Sequence, residues 1–292
     1  MIQVPRRLRV CLNGRILPLA AARLPVFDRG FLFGDGIYET IRSYGGLPFR
    51  LRGHLARLAQ SARRLSFRLP VPARGFERAV ARTLAANALR DARIRIVVSR
   101  GAGRPELAAI KGCRPAWLVY ALPYAPPPAA AYRDGVAAII PSVVRNDRRA
   151  VDPAIKASSL LNNLLAAREA ARAGVREAIM LNPAGYVAEA ASANIFWVRS
   201  GVLCTPDLEC GILPGITREL VLDLARRLGI PVREGAFRPA ALLGAGEAFV
   251  TASTIEILPL ASLGRRRYPR ARPVTRALEL AYRVTVRAEL GL

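Results

Sequence analysis

Lysine is nearly absent from this chain. It occurs only at Lys111 and Lys156, although lysine and arginine together number 45 among 292 residues. Where the background is arginine, a surviving lysine marks a place for something a permanently protonated guanidinium cannot do, such as forming a Schiff base. Lys156 follows the turn signal Asp152-Pro153 and leads into a helical pattern, whereas Lys111, in Ile110-Lys111-Gly112, has no such setting. Histidine is scarcer still. His54 is the only one, which excludes a multi-histidine metal site, and no metal is expected. Its neighbours in sequence offer no obvious acidic or nucleophilic partner, so a packing role at a helix start is expected for it.

The four cysteines, Cys11, Cys113, Cys204 and Cys210, are scattered, and the last two stand six apart. That spacing fits neither a zinc knuckle nor a redox pair, and reduced thiols in a cytoplasmic protein are the simplest expectation. No apolar run reaches the roughly 18 residues a membrane span requires. Met1–Pro5 does not read as the start of a signal peptide.

What is plentiful is apolar residues, 52%, and positive charge, net +24. The first belongs to a globular protein large enough for two domains. The second raises nucleic acid as a partner. The arginines are spread over most helices without interleaved aromatics, however, and only Arg265-Arg266-Arg267-Tyr268 forms a patch. No specific nucleic-acid partner is expected.

Proline density marks one seam. Residues 123–131 read as a stiff linker between an N-terminal domain, 1–122, and a C-terminal domain, 132–292, that carries Lys156. Asn13-Gly14 and Gly45-Gly46 signal hairpins. Helices are expected near 54–65, 75–89, 158–173, 215–228 and 275–289. Strands are expected near 93–100, 136–141, 178–181, 194–199 and 248–251. Strand and helix do not alternate regularly, so both domains are expected to be α+β.

Four segments carry chemistry. Asp28–Thr40 holds three glycines before a strand that sets Tyr38 and Thr40 on one face. Asp152–Asn163 holds Lys156. Gly185–Phe196 holds Glu189 among small and apolar residues, where a carboxylate needs partners to stay charged. Gly211–Glu219 opens a helix whose free N–H groups suit a phosphate.

Together and in this order, these segments resemble the class IV, or fold-type IV, aminotransferases: branched-chain and D-amino-acid aminotransferases and the related aminodeoxychorismate lyases. The resemblance runs from Asn13-Gly14 to Phe249–Pro259. It implies a two-domain α+β enzyme with pyridoxal 5'-phosphate in the inter-domain cleft. The expected reaction is a ping-pong transfer of an amino group between an amino acid, of branched-chain L or of D type, and a 2-oxo acid. It also implies at least a homodimer, in which a loop of one protomer completes the neighbour's site.

By resemblance, Lys156 holds the cofactor and moves the substrate proton. Glu189 faces the pyridine nitrogen, and Leu213 packs on the ring. Arg57, Ile216, Thr217, Ser253 and Thr254 hold the phosphate. Tyr38 and Thr40 line the substrate side, and Arg149 matches a supporting arginine of the D-amino-acid enzymes.

Departures limit the substrate reading. Branched-chain enzymes carry Tyr-x-Arg where this chain has Arg93-Ile94-Arg95, and the Arg-x-His of D-amino-acid enzymes has no histidine here. Arg95 and Arg104 are both candidates for the substrate carboxylate. Ser99-Arg100-Gly101 looks like a run of the lyases, so β-elimination on aminodeoxychorismate is the alternative reaction. A basic nucleic-acid-binding protein on the same fold is the alternative from another class.

Overall fold

The structure, a computed structural model, describes residues 7–292. Met1–Pro5, read above for a signal peptide, lies outside the described residues. The chain divides into two compact units, 7–125 with Ile155–Ser159, and Pro126–Ala154 with Leu160–Leu292.

In the first unit, strands β1 (Arg9–Leu12) and β2 (Arg15–Pro18) form the Asn13-Gly14 hairpin, with positive φ at both turn residues. Helix α1 (Arg29–Phe33) is capped by Asp28, whose carboxylate accepts from the N–H groups of Gly30 and Phe31. It leads into β3 (Gly36–Tyr44), followed by β4 (Leu47–Pro48), α2 (Leu51–Arg64), α3 (Ala73–Ala86), β5 (Ala92–Ala102) and β6 (Arg114–Pro123). The six strands make one antiparallel sheet in the order β2-β1-β6-β5-β3-β4.

Alternation along the pleat decides what each face does. Ile37, Ile41, Ile94, Ile96 and Val98 point one way, into a core closed by Leu55 and Leu58 of α2 and by Phe76, Val80 and Leu84 of α3. Tyr38, Thr40, Arg93 and Arg95 therefore lie on the opposite face of the same two strands. Burial of these aliphatic and aromatic side chains, at ~25 cal/mol per Å² of apolar area, is what fixes the register. A slip of one residue would exchange the isoleucines for arginines.

The second unit comprises α4 (Ala129–Asp134), β7 (Val136–Ile139), α5 (Leu161–Arg172), β8 (Glu177–Leu181), β9 (Val187–Ala190), β10 (Asn194–Arg199), β11 (Val202–Pro206), α6 (Ile216–Arg227), β12 (Val232–Gly235), α7 (Pro239–Leu243), β13 (Glu247–Ala252), β14 (Glu256–Leu263), β15 (Arg266–Arg267) and α8 (Pro273–Leu290). Its strands join in the order β12-β11-β10-β13-β14-β7-β8-β9, with β15 on β14. The β11–β12, β7–β14 and β7–β8 pairs are parallel and the other pairs antiparallel, so the sheet is mixed. Ile195, Trp197, Val250 and Leu258 fill its core, and α6 and α8 pack together beside β13 and β14.

Two expectations about organisation change. Part of the stretch read as linker is helical, because α4 already starts at Ala129. The lysine segment, assigned from sequence to the C-terminal domain, is held by the first unit through backbone bonds to β3. All four cysteines are free, and among the described residues no helix is long and apolar enough to cross a membrane.

Candidate active site

Lys156 is seated by backbone chemistry. Its carbonyl accepts from the Tyr38 N–H at 3.0 Å, and the Ser158 N–H donates to the Gly36 carbonyl at 2.8 Å. Ala157 makes an isolated antiparallel bridge with Ile37, so the segment is tied to β3 by its backbone. Glycine is required there. A Cβ on Gly36 would lie 2.8 Å from the Val98 carbonyl oxygen, and Gly34, at φ +69°, packs against Ser159. The Lys156 N–H donates to Ser61 Oγ of α2 at 3.1 Å.

This seat brings four of the expected residues together. Lys156 Nζ lies 4.7 Å from the centroid of the Tyr38 ring, and the Arg95 guanidinium carbon lies 3.5 Å from the same centroid. Arg95 Nη1 donates to Thr40 Oγ1 at 2.9 Å. Arg104, the other candidate for a carboxylate, is exposed on the loop after β5, and its carbonyl accepts from Arg29 at 3.2 Å.

Arg57 belongs to a buried cluster. Its Nε and Nη2 donate to the two oxygens of Glu39 at 2.8 and 2.7 Å, and His54 Nδ1 lies 2.7 Å from Glu39 Oε2. Burial opposes ionisation of Glu39, but the charge and hydrogen bonds of Arg57, helped by His54, hold its carboxyl down to about 2. Burial lowers the His54 pKa in spite of that carboxylate, so the ring is neutral near pH 7 and its Nδ1–H donates to Glu39. The sole histidine thus has an acidic partner that its sequence neighbourhood did not offer, supplied across 15 residues by β3. His54, Arg57 and Ser61 stand at i, i+3 and i+7, on one face of α2.

In the second unit the centre is Glu189, on β9 and 5% exposed. Three donors converge on its carboxylate. Arg145 Nη2 lies 2.9 Å from Oε1, while Asn194 Nδ2 and the Leu213 N–H reach Oε2 at 3.1 and 3.0 Å. Asn194 also donates to the Leu213 carbonyl, and Arg145 is steadied by Asn163 Oδ1 at 3.1 Å. The expectation for Arg149 is corrected here. It is exposed and pairs with Asp147, two residues away, whereas Arg145 is the arginine on Glu189.

Helix α6 starts beside this network. Gly215 is its N-cap, and a Cβ there would lie 2.0 Å from Asn194 Oδ1. No side chain caps the helix, and Ile216 and Thr217 form its first turn with the Thr217 side chain buried. Asn194 pairs with Thr251 across β10 and β13, two residues before the half-buried Ser253-Thr254 turn. Glu189, Leu213, Ile216, Thr217, Ser253 and Thr254 are therefore linked through neighbouring strands and one helix start.

Sequence reasoning gave no role to Arg145, Asn194, Ser61 or Glu39. Two of them did stand in segments it had singled out, Glu39 beside Tyr38 and Asn194 five residues after Glu189. The others become visible only when strands and helices bring them to their partners.

Comparison with known proteins fits this arrangement. Residues 36–263 match the family model of amino-transferase class IV. The chain is 40% identical to a Methanocaldococcus jannaschii protein named as a candidate branched-chain-amino-acid aminotransferase, over 89% of each chain. It is 31% identical to the aminodeoxychorismate lyase of Bacillus subtilis over 95% of this chain and 94% of that one. With the D-alanine aminotransferase of Bacillus licheniformis it shares 32% over 88% of each. Among solved structures, the branched-chain aminotransferase of Thermoproteus uzoniensis with norvaline superposes with a TM-score of 0.91 at 35% identity, covering 97% of this chain and 95% of that one. The holo, PLP-form branched-chain aminotransferase of Thermobaculum terrenum gives 0.87 at 30%, with the same coverage.

Proposed function

The chain belongs to the class IV aminotransferase family and is a pyridoxal-phosphate-dependent aminotransferase, and from that premise we propose how its own residues divide the reaction. The carrying observation is the Tyr38 ring, approached by the Lys156 amine at 4.7 Å and the Arg95 guanidinium at 3.5 Å. An amino acid or 2-oxo acid presents a reacting carbon with a carboxylate one bond away. A transferable amine and a carboxylate receptor on one ring match that pair.

The residues present also fit the cofactor. Glu189 has its carboxylate oriented by three donors, as a partner for a ring nitrogen must be. Helix α6 opens without a side-chain cap, which leaves its first N–H groups for an anion. When bound, pyridoxal phosphate withdraws electrons from the bond that breaks at the substrate's α-carbon.

Lys156 would hold the cofactor between turnovers, and its Nζ would take and return the α-proton. Glu189 would keep the ring nitrogen protonated, with Arg145 and Asn194 fixing the carboxylate. Leu213 would pack on the ring. Arg57, the N–H groups of Ile216 and Thr217, and the Ser253-Thr254 turn would share the phosphate. Arg95, steadied by Thr40, would take the substrate carboxylate. The donor side of the reading is a branched-chain L-amino acid, because the relative at 40% identity is named for that class and Arg100–Pro105 carries no histidine.

Single-turnover spectra test this. With L-leucine and no acceptor, the visible absorbance of the holoenzyme should disappear and stay lost, and a 2-oxo acid should restore it. A lyase would recover its absorbance unaided and release pyruvate from aminodeoxychorismate. Pyruvate release faster than any amino transfer would overturn the reading.

The assembly is proposed to be a homodimer. Val26, Phe27, Phe31 and Leu107 are exposed by 71%, 56%, 75% and 74% around α1 and the loop after β5. Buried Arg29 joins these two elements by donating to the carbonyls of Arg104, Glu106 and Leu107. A rigidly held apolar patch of this kind marks an interface between proteins. Sedimentation velocity should give twice the 31.6 kDa of one chain, and a monomer at micromolar concentration would refute the assignment.

A further inference from the structure

Helix α2 carries a serine where core packing and helix propensity both favour alanine. Ser61 is 0% exposed in the last turn of α2, on a helix that also sends Leu55, Leu58 and Ala62 into the core. Serine forms helix less well than alanine, and a buried hydroxyl is costly unless it is hydrogen-bonded. The partner of this hydroxyl oxygen lies 95 residues away in sequence: it accepts from the Lys156 N–H at 3.1 Å. On its other side the Lys156 carbonyl accepts from the Tyr38 N–H of β3 at 3.0 Å. Both main-chain groups of Lys156 are thus engaged, one by a strand and one by a helix of the first unit.

Ser61 stands one turn beyond Arg57 on the same face of α2, about 6 Å along the helix axis. Arg57 is itself fixed, because Glu39 of β3 takes two of its N–H groups at 2.8 and 2.7 Å. One rigid helix therefore anchors the backbone of the reactive amine and the guanidinium read above as a phosphate ligand. A lysine amine rides on a flexible four-carbon stem, so where it can reach depends on where its backbone is fixed.

We infer that Ser61 is a positioning residue: by accepting the Lys156 N–H it fixes the reactive amine relative to the phosphate held at Arg57. The inference rests on the roles of Lys156 and Arg57 proposed above. It deepens them by assigning a group that acts through the lysine rather than on the substrate.

Two forms of the cofactor separate positioning from holding. Pyridoxal phosphate carries the aldehyde that Lys156 can bond, whereas pyridoxamine phosphate carries an amine there and binds through its phosphate and ring alone. Each is titrated calorimetrically into the full-length protein after removal of bound cofactor. Ser61→Ala removes the acceptor and leaves a better helix former. It should raise the dissociation constant of pyridoxal phosphate by about tenfold, the scale of ordering one backbone residue, and leave that of pyridoxamine phosphate within about twofold. Ser61→Cys, which retains a weak acceptor, should fall between Ser61→Ala and the wild type. The double change Arg57→Ala with Glu39→Gln should weaken both forms by a similar factor.

A merely structural role for Ser61 would weaken both forms alike in Ser61→Ala and lower the melting temperature with them, and that result overturns the inference. Unchanged affinity for pyridoxal phosphate overturns it equally. Should Ser61→Ala fail to fold, Ser61→Cys decides the matter. Weakening of the aldehyde form alone supports the inference, and weakening of both or of neither refutes it. Failure of the underlying roles would look different: borohydride would fix the wild-type cofactor on a peptide other than that of Lys156.

Discussion

Replacing Lys156 with arginine is expected to abolish amino transfer while leaving the protein folded. The Lys156→Arg chain keeps the backbone seat, since the bonds to Tyr38, Gly36 and Ser61 involve main-chain groups of residues 156 and 158. What it loses is an amine able to shed its proton, because a guanidinium stays protonated at any working pH. Both the covalent hold on the cofactor and the proton transfer at the α-carbon depend on that amine. A loss of at least about 10³-fold in turnover is expected from the proton-transfer role alone. In the wild type, borohydride should fix the cofactor to the peptide that contains Lys156. Lys111 is exposed on the loop before β6 and serves as the control. Cofactor recovered on its peptide instead would sink the assignment.

How much of this was legible beforehand depends on how local each signal is. The Asn13-Gly14 hairpin and helices α2 and α3 could be read because turn chemistry and a 3.6-residue period are local. Lys156 stood out by rarity, which is a property of composition. Strand β6 escaped because both its faces are apolar: Trp117, Val119 and Ala121 enter the core while Leu118, Tyr120 and Leu122 pack on the other side. Without alternation it carries no strand period to read. Strands β9, β11 and β14 were missed for a related reason, since pairing with distant strands rather than local propensity makes them.

The site shows the same division. Resemblance could point to Glu189 and Arg57 by their places in local motifs. It could not reveal that Arg145 lies 2.9 Å from Glu189 or that Glu39 holds Arg57, because those contacts join different elements. Arg149 illustrates the failure. Resemblance matches it to a supporting arginine of the D-amino-acid enzymes, but it and Lys156 belong to different compact units, and a short turn returns its guanidinium to Asp147.

Removing the charge at Glu189 should slow chemistry without loosening the phosphate, and removing it at Arg57 should do the reverse. Glu189→Gln preserves size, and one amide oxygen can still accept from Asn194 and Leu213. The ion pair with Arg145 disappears, and a neutral amide cannot hold a proton on the ring nitrogen. Turnover should fall by about 10²-fold or more, on the scale of a positioned proton-holding group, while cofactor affinity stays within about threefold. Arg57 needs a more careful variant. Truncating it alone would strand the Glu39 carboxylate, which is 0% exposed, and breaking a buried pair from one side costs about 3–5 kcal/mol. The double change Arg57→Ala with Glu39→Gln removes both charges and spares most of that fold-wide penalty. It should raise the cofactor dissociation constant by about tenfold or more through loss of one charge-assisted contact, and saturating cofactor should restore much of the turnover. Arg145→Ala separates positioning from holding. It should reproduce part of the Glu189→Gln rate loss with the phosphate grip intact, whereas an equal loss of cofactor affinity in all three proteins would show that the roles are not divided in this way.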